Sequence, residues 1–339
     1  MDIRQLYDEQ FILKYLRKRI LPLYSECKTI KKIKIKGIKN NIWENSYHVV
    51  VEYNVYFSTQ TGKTKTLLIY CSAHSHEPRR NIYAALRFLW NAGFARGNLT
   101  IPHPLFYSQR FRGVFYRGLT GKNLYHFIKE KDLAEVRRLV ILSARWFAKL
   151  HRLPTAGAKN FNRQNSLIET TVPGAKHWLK KIEERYPEDY GLVYKIFSLL
   201  NRQEKTYLAA AKKRYLVHGD AHPENVIRVT KNKIGLIDFT DMCLGDFARD
   251  LGAFTQQLEY MAGKYFTEPE VIAELKQTFL NEYLSAAKLK LTEDLTQRIG
   301  TYYYWTALRT AVYLFVNQHH EPERARLLIN KLKGELKIN

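Results

Sequence analysis

The residues best equipped for chemistry lie in one short stretch. His218-Gly219-Asp220-Ala221-His222-Pro223-Glu224-Asn225 follows the apolar Tyr215-Leu216-Val217, and Ile237-Asp238-Phe239 comes soon after. One loop carboxylate, Asp220, and two further hard oxygen donors, Asn225 and Asp238, form a set with a recognisable use. Transfer of a phosphoryl group needs a carboxylate to orient a hydroxyl and take its proton, and metal ions to neutralise the phosphate oxygens. Magnesium prefers hard oxygens and takes only one or two from protein. A lone Asp or Asn in a loop is ordinarily a turn former or helix cap; it is the three positions together that point to chemistry.

The spacing predicts how these residues meet. Val226 to Thr230 reads as a strand, Lys231-Asn232-Lys233 as a turn and Ile234 to Ile237 as the returning strand. Residues equidistant from a hairpin turn face each other across an antiparallel pair. Asn225 and Asp238 are therefore expected side by side, within reach of one Mg2+, with Asp220 in the same loop.

At this point the sequence resembles a known family. His218 to Asn225 is similar to the H-G-D-x-H-x-x-N loop of the aminoglycoside phosphotransferase and choline-kinase-like family, which has a protein-kinase-like fold. Ile237-Asp238-Phe239 resembles its metal-binding I-D-F, and Gly245-Asp246-Phe247-Ala248-Arg249-Asp250-Leu251-Gly252 its G-D-x-x-x-D-L-A segment. Leu150-His151 and Leu119-Thr120-Gly121 are fainter echoes of the helix ending and of the hinge. The resemblance implies Asp220 as catalytic carboxylate and Asn225 and Asp238 as Mg2+ ligands. His218 and Asp246 would support the loop through hydrogen bonds, and His222 would either support it or touch phosphate. Backbone near Arg117 and Leu119 would bind the purine of ATP or GTP, and the acceptor would be a hydroxyl of a small molecule. An aminoglycoside acceptor would need an acidic pocket, for which Glu259, Glu268, Glu270, Glu274 and Glu282 are available, as solvent-facing helix positions if not as a pocket.

The elements that must position this loop can be read from periodicity. Leu6, Leu13, Leu16 and Ile20 share a helical face over residues 5–21, with Pro22 at its end. Strands are expected at Lys32–Gly37, Tyr47–Phe57, Thr64–Ser72, Pro104–Tyr107 and Gly113–Arg117, with a helix over 79–93 closed by Gly93. Beyond Gly118-Leu119-Thr120-Gly121 the pattern turns helical, with helices expected at 122–130, 133–152, 174–186, 190–213, 247–263, 267–287, 291–317 and 321–335. The expected fold class is α+β: two lobes, residues 1–117 as a β-rich nucleotide-binding lobe and 118–339 as a helical lobe carrying the catalytic loop and acceptor site.

The first lobe departs from the family pattern. The third strand ordinarily carries a Lys for the α- and β-phosphates, paired with a Glu on the next helix. In Thr66-Leu67-Leu68-Ile69-Tyr70-Cys71 that place holds Leu68 or Tyr70, and Arg80 to Leu86 contains no Glu. Lys65, Arg79 and Arg80 are the substitutes at hand, and no glycine-rich loop occurs near Asn40 to Asn45. An alternative follows: a pseudokinase or binding protein on the same fold that transfers nothing.

Bulk properties bound the rest. The chain has 339 residues, 45% of them hydrophobic, enough for a large core. Cys27, Cys71 and Cys243 are isolated and odd in number, which argues against a disulfide scaffold or zinc site. No secretory leader is read at Met1-Asp2-Ile3-Arg4, and Tyr302 to Val316 is interrupted by Arg309 and too short to span a membrane, so a cytoplasmic location is the expectation. Net charge is +23, but residues 220–299 are net −4. Such a surface could draw an anionic partner, nucleic acid included, or could simply be a lysine-rich solvated face.

Overall fold

The computed structural model describes residues 2–77, 79–317 and 320–338. The chain forms two compact units. The first comprises residues 1–121 and 227–240, the second residues 122–226 and 241–339. In chain order the elements are α1 (Glu9–Arg19), β1 (Cys27–Ile42), β2 (Tyr47–Thr59), β3 (Thr64–His74), α2 (Arg80–Leu89), β4 (Leu99–Thr100), β5 (His103–Ser108) and β6 (Gly113–Arg117). After them come β7 (Lys122–Asn123), α3 (Leu124–Lys129), α4 (Leu133–His151), α5 (Ala175–Arg185), α6 (Pro187–Ala210), β8 (Tyr215–Val217), β9 (Val226–Thr230), β10 (Lys233–Leu236) and β11 (Cys243–Gly245). The chain ends with α7 (Ala248–Ala262), α8 (Pro269–Ala287), α9 (Glu293–Val316) and α10 (Pro322–Glu335).

The first unit is built on an antiparallel sheet of order β1-β2-β3-β6-β5. Side chains alternate between faces along a strand, and the sequence uses that parity strictly. Val49, Val51, Tyr53, Val55 and Phe57 of β2 are buried, as are Leu67, Ile69, Cys71 and Ala73 of β3. All are odd-numbered and share one face. Ile12, Leu16 and Ile20 of α1 join them in one core, the Tyr53 hydroxyl donates to the Leu6 carbonyl at 2.8 Å, and Arg17 donates to the Ile30 carbonyl at 2.9 Å. The helix read over residues 5–21 starts later than expected because Asp8 caps it, its carboxylate accepting from the Phe11 N–H at 2.8 Å. A separate short turn, Ile3–Tyr7, precedes it. β1 runs well past the expected Lys32–Gly37 and occupies a sheet edge, its lysines 28, 31, 32, 34, 36 and 39 all exposed.

A single cut at residue 117 does not describe the chain. The hairpin β9–β10 belongs to the first unit because β10 pairs in parallel with β4, Ile234 opposite Leu99 and Gly235 opposite Thr100.

The second unit is helical. α9 packs against α7, α6 and α10, and α4 against α8. Trp146, Phe147, Phe254, Phe279 and Tyr283 fill the interior, with Phe254 stacked on Phe279 at 4.4 Å between centroids. α7 and α9 cross so closely at Gly252 that a Cβ there would sit 2.5 Å from the Ile299 carbonyl and the Tyr303 nitrogen. No helix among the described residues is long and apolar enough to cross a membrane.

Deleting buried side-chain volume leaves a cavity. Leu16→Ala, which empties the contact between α1 and the sheet, is expected to cost about 2–5 kcal/mol in denaturant unfolding. The exposed Leu327→Ala, its control, is expected to change stability by less than about 0.5 kcal/mol.

Candidate active site

In the second unit, the strand β8 delivers the chain into the loop at His218. Gly219 makes the turn at φ +83°, where an added Cβ would overlap the Asp241 carbonyl. Only glycine reaches this conformation without strain. The loop is held from beneath by Asp250, near the start of α7. One of its oxygens accepts from the His218 N–H at 2.7 Å, the other from the Gly219 N–H at 2.9 Å. His151, the last residue of α4, lies with Nε2 3.0 Å from the same carboxylate, and its Nδ1 is 2.9 Å from the Tyr283 hydroxyl. Asp250 is fully buried. Burial would raise its carboxyl, but the hydrogen bond and charge of His151, the charge of His218 and the backbone N–H of Gly219 hold it below the usual range.

This corrects the reading of Asp246. Its carboxylate does not support the loop: it caps α7 through the Ala248 N–H at 3.0 Å and receives Arg298 at 2.7 and 2.8 Å. Asp250, four residues on in the same segment, does the work assigned to Asp246. His218 is buried, edge-on to Trp146 at 6.1 Å.

Asp220 itself is half-buried on the wall of a cavity of about 560 Å³, together with His222, Trp305, Arg309 and Tyr313. Burial pushes its carboxyl up, yet the His222 ring, Arg309 and His218 together hold it well below the ordinary carboxylate range, so it is ionised at neutral pH. The amide nitrogen of Asn225 donates to the Asp220 carbonyl at 2.9 Å and to the Asp220 carboxylate at 3.3 Å, and lies 2.9 Å from His222 Nε2. The nitrogen is thus engaged and Oδ1, a hard donor, makes no hydrogen bond with any described residue. His222 is a brace of this loop.

In the first unit, Asp238 is exposed, two residues beyond β10, at φ +61°. Such a backbone is costly for a residue with a side chain and is kept where its surroundings impose it. One carboxylate oxygen accepts from Thr240, at 3.3 Å from nitrogen and 2.6 Å from hydroxyl; the other makes no hydrogen bond with any described residue. An amide oxygen and a carboxylate oxygen are donors that suit Mg2+. Among the described residues no three His, Cys, Asp or Glu side chains gather as a metal cluster.

The same unit contains a second cavity, about 540 Å³, of the size that takes a small ligand. Arg117 and Leu119 line it, with Asn54, Thr66, Leu68 and the stacked pair Trp90–His103, 4.2 Å between centroids. Lys65 does not. It is odd-numbered, on the α1 face of β3, where it pairs with Glu26. The parity that buries Leu67 and Ile69 places Thr66, Leu68 and Tyr70 on the opposite side, so this outcome was available from the strand pattern. Where a Lys–Glu pair was expected, the Tyr70 hydroxyl donates to Glu52 at 2.6 Å across the β2–β3 ladder. The buried cation nearby is Arg79, bound to His48 Nε2 at 3.1 Å and Glu77 at 3.3 Å. Its charge acts on His48 and Tyr116, the two groups that also feel Asp238. Burial and the charges of Lys39 and Arg79 push His48 down to about 4, so it is neutral at pH 7.

The model of the phosphotransferase enzyme family matches residues 51–289, well over half of the chain. The chain belongs to that family. Solved structures of the same fold include a choline/ethanolamine kinase family protein from Mesorhizobium loti, 15% identical, covering 97% of this chain and 95% of its own, with TM-score 0.58. The GDP and kanamycin complex of APH(2")-IIia is 15% identical over 95% and 99%, TM-score 0.55. Plasmodium vivax ethanolamine kinase is 14% identical over 88% and 81%, TM-score 0.54. No curated protein sequence gives a significant match. The phosphotransferase thus has the two-lobed α+β fold its motifs implied.

Removing one partner of a buried ion pair strands the other. Asp250→Asn replaces an oxygen that accepts from a loop N–H with a donor, and is expected to cost about 3–5 kcal/mol in urea unfolding. The pH dependence has a defined sign. Because the Asp250 carboxyl is lowered in the fold from 3.8, its contribution is complete above the unfolded value and is lost as pH falls through the folded one. Acid unfolding of the wild type should therefore steepen below about pH 4, and that component should be missing in Asp250→Asn.

Proposed function

We propose that this phosphotransferase moves the γ-phosphoryl of a purine nucleoside triphosphate, ATP or GTP, onto a hydroxyl of a small molecule. Asp220 orients the hydroxyl and takes its proton as the acceptor oxygen bonds to phosphorus and the bond to the β-phosphate oxygen breaks. The observation that carries this is an ionised carboxylate on a cavity wall, in a loop fixed by a buried Asp250. Asn225 and Asp238 are the proposed ligands of Mg2+, which when bound would neutralise phosphate oxygens. Arg117 and Leu119 mark the purine pocket, which is supported by the GDP complex among the structures of this fold.

On the donor side the lysine of the family pattern is absent, and Arg79 is the cation we assign to the phosphates. Its electrostatic reach overlaps that of Asp238, and a guanidinium matches phosphate oxygens in pairs. Arg80 is exposed at the start of α2.

Nucleotide with Mg2+ is expected to raise the melting temperature, and nucleotide with chelator to do so less; no metal-dependent shift would overturn the magnesium assignment. Asp220→Asn is expected to retain that stabilisation while losing about 10²–10⁴-fold in transfer. Equal transfer by Asp220→Asn and wild type would remove Asp220 from the reaction, and transfer by neither would favour the binding-protein alternative. Arg79→Gln is expected to raise the nucleotide KM by about tenfold or more, the worth of one charge-assisted contact, with partial recovery in Arg79→Lys.

A further inference from the structure

The cavity that holds Asp220 also decides what kind of acceptor it can take, given the phosphotransferase reading on which this inference rests. Its walls are not acidic. Of the carboxylates on them, Asp220 belongs to the chemistry, Glu321 is paired with Arg324 at 2.5 Å, and Glu224 stands 3.9 Å from His222. Of the five glutamates available for an ammonium-binding pocket, none lines this cavity: Glu268 and Glu270 are exposed away from it, and the other three are paired. Glu259 is held by Lys276 and Lys331, Glu274 by Arg137 at 2.5 Å, and Glu282 by Arg145 at 2.6 Å.

The unmatched groups on this wall are donors. Arg309, on α9, is half-buried and makes no hydrogen bond or ion pair with any described residue. Elsewhere in this unit Arg137, Arg138, Arg145, Arg298, Arg324 and Arg326 each have a carboxylate partner. A partly buried guanidinium without one is expensive, since it loses hydration and gains nothing in return. Lys264 likewise lacks an ion pair among the described residues and stands over the Tyr260 ring at 4.3 Å. Trp305, 2% exposed, leaves its indole N–H without an acceptor among the described residues. A planar fork of donors facing a cavity is matched by a carboxylate or a phosphate.

We infer that the acceptor carries an anionic group, carboxylate or phosphate, which Arg309 binds with help from Lys264 while a hydroxyl of the same molecule is presented to Asp220. A polyamine is the wrong partner for this cavity. Arg309 and Asp220 line the same cavity of about 560 Å³, so one small molecule can meet both.

One sugar scaffold in four charge states tests this: galacturonate, galactose 6-phosphate, galactose and galactosamine. Each is titrated against the full chain with Mg2+ and nucleotide. The readouts are nucleotide consumption and, because binding needs no turnover, melting temperature. The expected order is anion, then neutral, then amine, in both readouts. Galacturonate and galactose 6-phosphate separate the carboxylate from the phosphate. Arg309→Gln is expected to weaken the response to the anions by about tenfold and erase their lead over galactose, whereas Arg309→Lys keeps it. A larger effect of galactosamine, or no anion-over-amine difference in either readout, overturns the inference, as does an unchanged order in Arg309→Gln. Loss of the Mg2+-dependent nucleotide shift in the wild type would instead count against the phosphotransferase reading, which keeps the two failures distinct.

Discussion

A buried carboxylate holds the His218–Asn225 loop in place. Asp250 takes two backbone N–H groups from the loop and the ring of His151, so it ties α7, α4 and the turn at Gly219 into one junction. Each of those groups would be costly alone in a dry interior, and together they satisfy one another. The arrangement also orients what is above it. With the backbone of His218 and Gly219 fixed, Asn225 closes the loop from the other side by donating to the Asp220 carbonyl and carboxylate. The chemistry proposed for Asp220 would thus depend on an interaction remote from substrate.

Charge assignment in the site follows from who faces whom. Asp220 stays ionised despite its partial burial because two imidazoles and Arg309 surround it. In the first unit the family's charged pair is replaced by a neutral phenol bonded to a carboxylate, Tyr70 to Glu52, and positive charge enters from the start of α2 through Arg79. Losing both members of a buried ion pair together avoids leaving one of them stranded.

Much of this was legible in the sequence, and the gaps have physical causes. The spacing of Asp220, Asn225 and Asp238 identified the loop and the hairpin, and alternation along β2 and β3 gave the sheet, because local period and turn chemistry are written in adjacent residues. The parity of β3 also contained the information that Lys65 points away from the Leu68 cavity. The exchange of roles between Asp246 and Asp250 was different. Both stand in one motif, and which reaches the loop is set by how α7 meets α4 and α9, a tertiary fact that brings His151 to one and Arg298 to the other. The charge of the cavity beside Asp220 was likewise hidden, since whether Arg309 or Glu259 is left unpaired depends on neighbours far apart in the chain.

The exposed lysines of β1 bear on how copies of this protein meet. A long strand at the rim of a sheet offers unpaired backbone groups to any passing strand, and is a standing invitation to edge-to-edge association. Here that rim carries six lysines at positions 28, 31, 32, 34, 36 and 39. Two such edges approaching each other would have to bring like charges together along their whole length. Repulsion of this kind between the lysines is strongest in dilute salt and weakens as the ionic atmosphere closes in.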